Sequence, residues 1–64
     1  MNRESVNSRR IRIINYQTDD IHMDVSNLTE SLVDKDRVEC LELIESIRTR
    51  LNILKEQIVN GEII

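Results

Sequence analysis

From Asp36 to Asn60 the chain runs without glycine or proline, and apolar residues fall at Cys40, Ile44, Ile47, Leu51, Leu54 and Ile58. The steps of 4, 3, 4, 3 and 4 gather side chains into one stripe of a helix, the spacing with which two helices interlock. Read as a heptad, Ile44, Leu51 and Ile58 take position a, and Cys40, Ile47 and Leu54 take position d. Asn60-Gly61 then ends the helix, because glycine adopts the left-handed backbone on which helices close. A rod of this kind is about 36 Å long at 1.5 Å per residue. Its apolar edge must be covered by a neighbour, so these six residues are the expected oligomer interface.

Length sharpens the argument. A chain of 64 residues buries only about 60% of its unfolded surface, and a core that small rarely supplies more than roughly 3–5 kcal/mol unaided. The single cysteine, Cys40, cannot close an internal disulfide, and no group of Cys and His has zinc-ligand spacing. The remaining stabiliser is a partner, either a second copy or another protein.

Upstream, Arg10, Ile11, Arg12 and Ile13 alternate polar and apolar residues, a period-two signal for a strand. Gln17-Thr18-Asp19-Asp20 reads as a turn. Ile21, Met23 and Val25 alternate again, so residues 10–25 can pair as a hairpin with Ile13 opposite Met23 and Ile11 opposite Val25. Equally, Ile21, Val25, Leu28 and Leu32 lie at helical spacing behind Thr18 as N-cap, which gives a strand followed by a helix. The stretch 34–37 reads as a turn, with Asp36 capping the long helix and Glu39 three residues on, in the manner of a capping box. The expected fold is mainly α: a short N-terminal β-strand or hairpin, then a helical hairpin with one long C-terminal amphipathic helix. Residues 1–9 are read as a flexible basic arm, and residues 10–64 as a single small oligomerising domain.

The net charge of −3 conceals a split. The first sixteen residues carry four arginines against Glu4, residues 17–45 carry nine acids against Lys35 and Arg37, and the remainder is nearly balanced. Positions e and g of the heptad hold Arg48, Lys55 and Arg50 with no acid, so a parallel homodimer of the long helix would set Arg50 against Lys55. Asp24, Glu30 and Asp34 are the acids that can answer these cations. Pairing of that kind favours an antiparallel arrangement, each surface pair adding only a few tenths of a kcal/mol.

Catalytic chemistry has little to stand on. Cys40 sits in the apolar stripe behind Glu39, an acid that raises rather than lowers a thiol pKa, so its pairing with His22 as a nucleophile is disfavoured. The string Asp19, Asp20, His22, Asp24 lacks the glycine turn and closing glutamate of a calcium loop and the spacing of a zinc site. Gly61 alone cannot make a phosphate-binding loop. No catalytic, cofactor-binding or metal residues are therefore assigned, and no cofactor is expected. Asn27-Leu28-Thr29 matches a glycosylation sequon, but no apolar signal segment precedes it. No run approaches the about 20 apolar residues of a membrane span. With an unpaired thiol, a cytoplasmic setting is expected. Ten isoleucines and no alanine suggest an AT-rich coding sequence of phage or plasmid type.

Arg10 and Arg12, alternating with Ile11 and Ile13, would project from one face of a β-ribbon, with Arg9 beside them. A strand followed by two helices resembles the ribbon-helix-helix repressor family over roughly residues 9–58, with Arg10, Arg12 and Ile14 matching its base-reading strand. The resemblance implies a dimeric DNA-binding repressor whose paired strands enter the major groove. Phosphate attraction dominates nucleic-acid affinity, so the acidic middle ranks protein ahead of nucleic acid as a partner. The expected function is a small non-enzymatic regulator, adaptor or inhibitor that binds protein as a homo-oligomer. The ribbon-type repressor is the alternative. Glu39, Glu42 and Glu45 in one acidic stripe leave a third reading, an inhibitor that imitates a nucleic-acid backbone.

Overall fold

A computed structural model describes the backbone of residues 3–64 and the side chains from Ser8 onward. The fold is two helices, α1 (Arg3–Val33) and α2 (Arg37–Val59), laid against each other as an antiparallel hairpin. The hairpin is flat and long, with Cα extents of 50 × 19 × 11 Å.

The expected strand or hairpin over residues 10–25 is not formed: this stretch lies within α1. Four alternating residues fit a strand, yet Ile11, Ile14, Thr18, Ile21, Val25, Leu28 and Leu32 recur at steps of 3, 4, 3, 4, 3 and 4. A 22-residue helical stripe with one polar member outweighs a four-residue alternation. Thr18 does not cap a helix. It sits inside α1 and donates its hydroxyl to the carbonyl of Ile14 at 2.9 Å. The arm expected over residues 1–9 falls mostly outside the described side chains.

The long helix from Asp36 to Asn60 is present, and both of its ends follow from local chemistry. Asp36 accepts the backbone N–H of Glu39 on its side chain at 3.1 Å. Only half of a capping box forms, because the N–H of Asp36 is already donated to Ser31 O at 2.9 Å. At the far end Gly61 (φ 74°) follows the C-cap Asn60, with Gly61 N–H on Ile58 O and Glu62 N–H on Gln57 O, a Schellman closure.

The same closure ends α1: Lys35 N–H reaches Leu32 O and Asp36 N–H reaches Ser31 O. Here the left-handed position is Lys35, at φ 60°. One short turn thus ends α1 and caps α2, but it holds a side chain where glycine is preferred. Lys35→Gly should stabilise the hairpin by about 1 kcal/mol, the size of the left-handed penalty less the entropy glycine adds to the unfolded chain. Urea unfolding at fixed protein concentration, read as the midpoint at unchanged m-value, checks this.

Candidate protein-binding face

The hairpin is joined through a polar row. Arg10, Gln17, Asp24 and Ser31 are spaced by seven along α1, and Asp24 and Ser31 are buried, with 8% and 3% exposure. Gln17 Nε2 donates to Gln57 Oε1 at 2.9 Å. Asp24 Oδ2 accepts from Ser46 Oγ at 2.6 Å and from Arg50 Nε at 2.9 Å. Arg50 also reaches Asp20 Oδ2 at 3.1 Å. Arg10 Nε donates to the carbonyl of Ile63, a buried residue that follows the last turn of α2. Ser31, the smallest of the row, lies where the helices converge on the turn.

The expected acid–base pairing across the hairpin is thus present at Asp24–Arg50, with Asp20 added. Arg48 instead pairs with Glu45 one turn away at 3.5 Å. Among the described residues no cluster of three or more His, Cys, Asp or Glu could hold a metal. Two carboxylates of the acidic string already answer Arg50.

On α2 it is positions g and d that turn toward α1: Leu43, Arg50 and Gln57, with Cys40, Ile47 and Leu54, are buried or half-buried. The a row is left outside, with Ile44, Leu51 and Ile58 at 43%, 49% and 44% exposure. A row four residues on from a contact position lies a further ~40° around the helix. Because the helices are antiparallel and the polar rows oppose each other, these apolar rows turn to the same side. The stripe of α1 and the stripe of α2 therefore share one broad face.

That face holds all six residues expected at an oligomer interface and adds Ile11, Ile14, Ile21, Val25, Leu28 and Leu32. Its one polar member, Thr18, satisfies its hydroxyl within α1, and none of the thirteen positions is charged. Near the turn the face dips into a groove of about 480 Å³ lined by Leu32, Lys35, Arg37, Cys40, Leu41 and Ile44. The opposite face carries Asp20, Glu30, Glu39, Glu42 and Glu56, with Tyr16, Met23 and Ile53 standing singly among them.

Sequence reasoning found the α2 half and placed Ile21, Val25, Leu28 and Leu32 on a helical stripe, as α1 has them; it missed Ile11 and Ile14, whose signal was the same 3–4 spacing continued back through Thr18. Arg9, Arg10 and Arg12 do not line up on a ribbon: successive steps on a helix spread them around α1, and Arg10 is bonded to the C-terminal segment. The ribbon on which the repressor resemblance rested has no counterpart among the described residues. Cys40 is buried in the apolar row beside the turn and His22 is exposed, some 18 Å away along α1 at 1.5 Å per residue. Set against known protein families, curated proteins and solved structures, the chain has no significant match in any of the three.

The Ser46 hydroxyl, followed by the Arg50 guanidinium, holds the Asp24 carboxyl below the usual carboxylate range, outweighing the upward effect of burial. A carboxylate with a lowered folded-state pKa stabilises the fold above the unfolded pKa of about 4 and loses that contribution as pH falls through the folded value. Stability of the wild-type hairpin should therefore fall through the acid range below about pH 4. Asp24→Asn should lower the melting temperature at neutral pH and flatten this acid limb. Thermal melts by circular dichroism between pH 2 and 7 check both.

Proposed function

We propose that this chain is a small non-enzymatic regulator, adaptor or inhibitor that binds protein, with copies of itself among its partners. One observation carries the reading: a continuous apolar face along the hairpin, built from both helices, with cations only at its turn end, Lys35 and Arg37. Monomeric proteins rarely expose apolar patches beyond a few hundred Å², and larger ones mark interaction sites. Cys40 and Ile63 are the only buried apolar residues among those described, so burial within one copy leaves most of the hydrophobic stabilisation unrealised.

The rod does have a partner within its own chain, since α1 is longer than α2. What calls for a further partner is the outward turn of the a row and of the matching α1 row. The acids gathered on the other face stay in solvent in such an assembly, which favours solubility. Among the described residues no helix is long and apolar enough to cross a membrane, and the unpaired Cys40 suits a reducing compartment such as the cytoplasm.

Ile44→Glu with Leu51→Glu tests the reading. Both residues are exposed in the hairpin, so the double variant should keep the helices while placing two charges in any apolar contact. Self-association by sedimentation equilibrium should weaken at least tenfold relative to wild type. Glu42→Gln with Glu56→Gln, on the acidic face, should leave it unchanged. A wild-type chain that stays monomeric at high concentration and melts cooperatively would overturn the proposal.

A further inference from the structure

We infer that the second copy seats its α1 across α2 of the first, with both turns at the same end of a four-helix bundle. This rests on self-association through the apolar face and adds its geometry. Several features commit the face to a second copy. Its stripes keep 3–4 spacing over similar lengths, Ile11–Leu32 on α1 and Cys40–Ile58 on α2, so the face is matched in period and closely in length to itself. Over the roughly 30 Å length of the stripes and the 19 Å width of the hairpin it offers on the order of 600 Å² per copy, at the low end of specific interfaces, which bury about 1,200–2,000 Å² in total. Between its borders it carries charge only at the turn, where Lys35 and Arg37 line the groove.

Two identical faces can be brought together by a two-fold axis in only two ways, with the axis running along the helices or across them. The borders of the face decide between these. Along α1 the border is Ser8, Asn15, His22 and Thr29, with Asp19 in the next row. Along α2 it is Leu41, Arg48 and Lys55. An axis across the helices stacks α2 on the partner's α2 and, because Arg48 lies mid-helix, brings two copies of Arg48 face to face. Like charges so placed are repulsive.

An axis along the helices instead sets the α2 border against the α1 border of the other copy. The Gln17–Gln57 and Asp24–Arg50 bonds fix the levels, and by that register Lys55 lies level with Asp19. Lys55 has no ion-pair partner within its own copy among the described residues. In the bundle Asp19 of the second copy supplies one, and Arg48, with Glu45 on its outer side, meets Thr29 and Ser26 rather than another cation.

Spin labels on Asp34→Cys in a Cys40→Ala background measure the turn-to-turn distance by pulsed electron paramagnetic resonance. Turns at the same end place the labels about 20–30 Å apart across a bundle whose helices pack 8–10 Å from one another. Turns at opposite ends place them near the 50 Å length of the hairpin, which overturns the arrangement while leaving self-association in place. Monomers by sedimentation with no dipolar signal overturn the underlying reading instead. A second arm keeps the native thiol: Lys55→Glu should weaken the dimer severalfold, and Asp19→Lys in the same chain should restore it. Tighter association of Lys55→Glu alone would mark relief of repulsion between stacked α2 helices and overturn the proposal.

Discussion

The Asp24–Arg50–Ser46 contact governs how this molecule is built. By placing a carboxylate and a guanidinium between the helices, the chain gives the middle of its seam to polar groups. The apolar rows are thereby displaced to one side. An apolar seam would have drawn Ile14, Ile21 and Leu28 directly onto Ile47 and Leu54, leaving little outside. Buried polar contacts add modest net stability, about 0.5–1.5 kcal/mol per hydrogen bond, but they tolerate few alternatives, and a slip of one turn would leave Asp24 without partners. Register is what such contacts specify best.

The turn follows the same economy of residues. Ser31, Leu32, Lys35 and Asp36 end one helix and begin the next with no glycine, using a lysine in the left-handed region and an aspartate that both closes α1 and caps α2. Tight closure at one end and the Arg10–Ile63 contact at the other hold the helices side by side along their length. The apolar face is kept flat as a consequence.

Much of α2 was legible in the sequence, because its stripe is uninterrupted and its cap and stop residues are of the preferred kinds: Asp36, Asn60 and Gly61. The helical stripe from Ile21 to Leu32 was legible too, but the start of α1 was misread as a strand for a local reason. Ile11 and Ile13 flank Arg12 in a pattern that fits either period, and Thr18 interrupts the helical stripe where a turn rich in Asp and Gln was already plausible. Only the longer window, from Ile11 to Leu32, separates the two. The choice of seam could not be read from periodicity, since positions g, d and a of α2 form one continuous arc. Which pair of rows faces α1 is decided by Gln17, Asp24 and Ser31, residues of the other helix. The pairing of Asp24 with Arg50 could be anticipated from charge; that it would displace the apolar rows could not.

If copies pair as proposed, the outward turn of Ile44, Leu51 and Ile58 has a consequence for the life of the chain in a cell. A fold whose greasy side is covered only by a sibling gains stability by mass action as its numbers rise. When scarce, it spends more time open and exposed to proteases. Under the proposed pairing, abundance would act as a threshold: scarce copies would be short-lived, and numerous ones would protect one another.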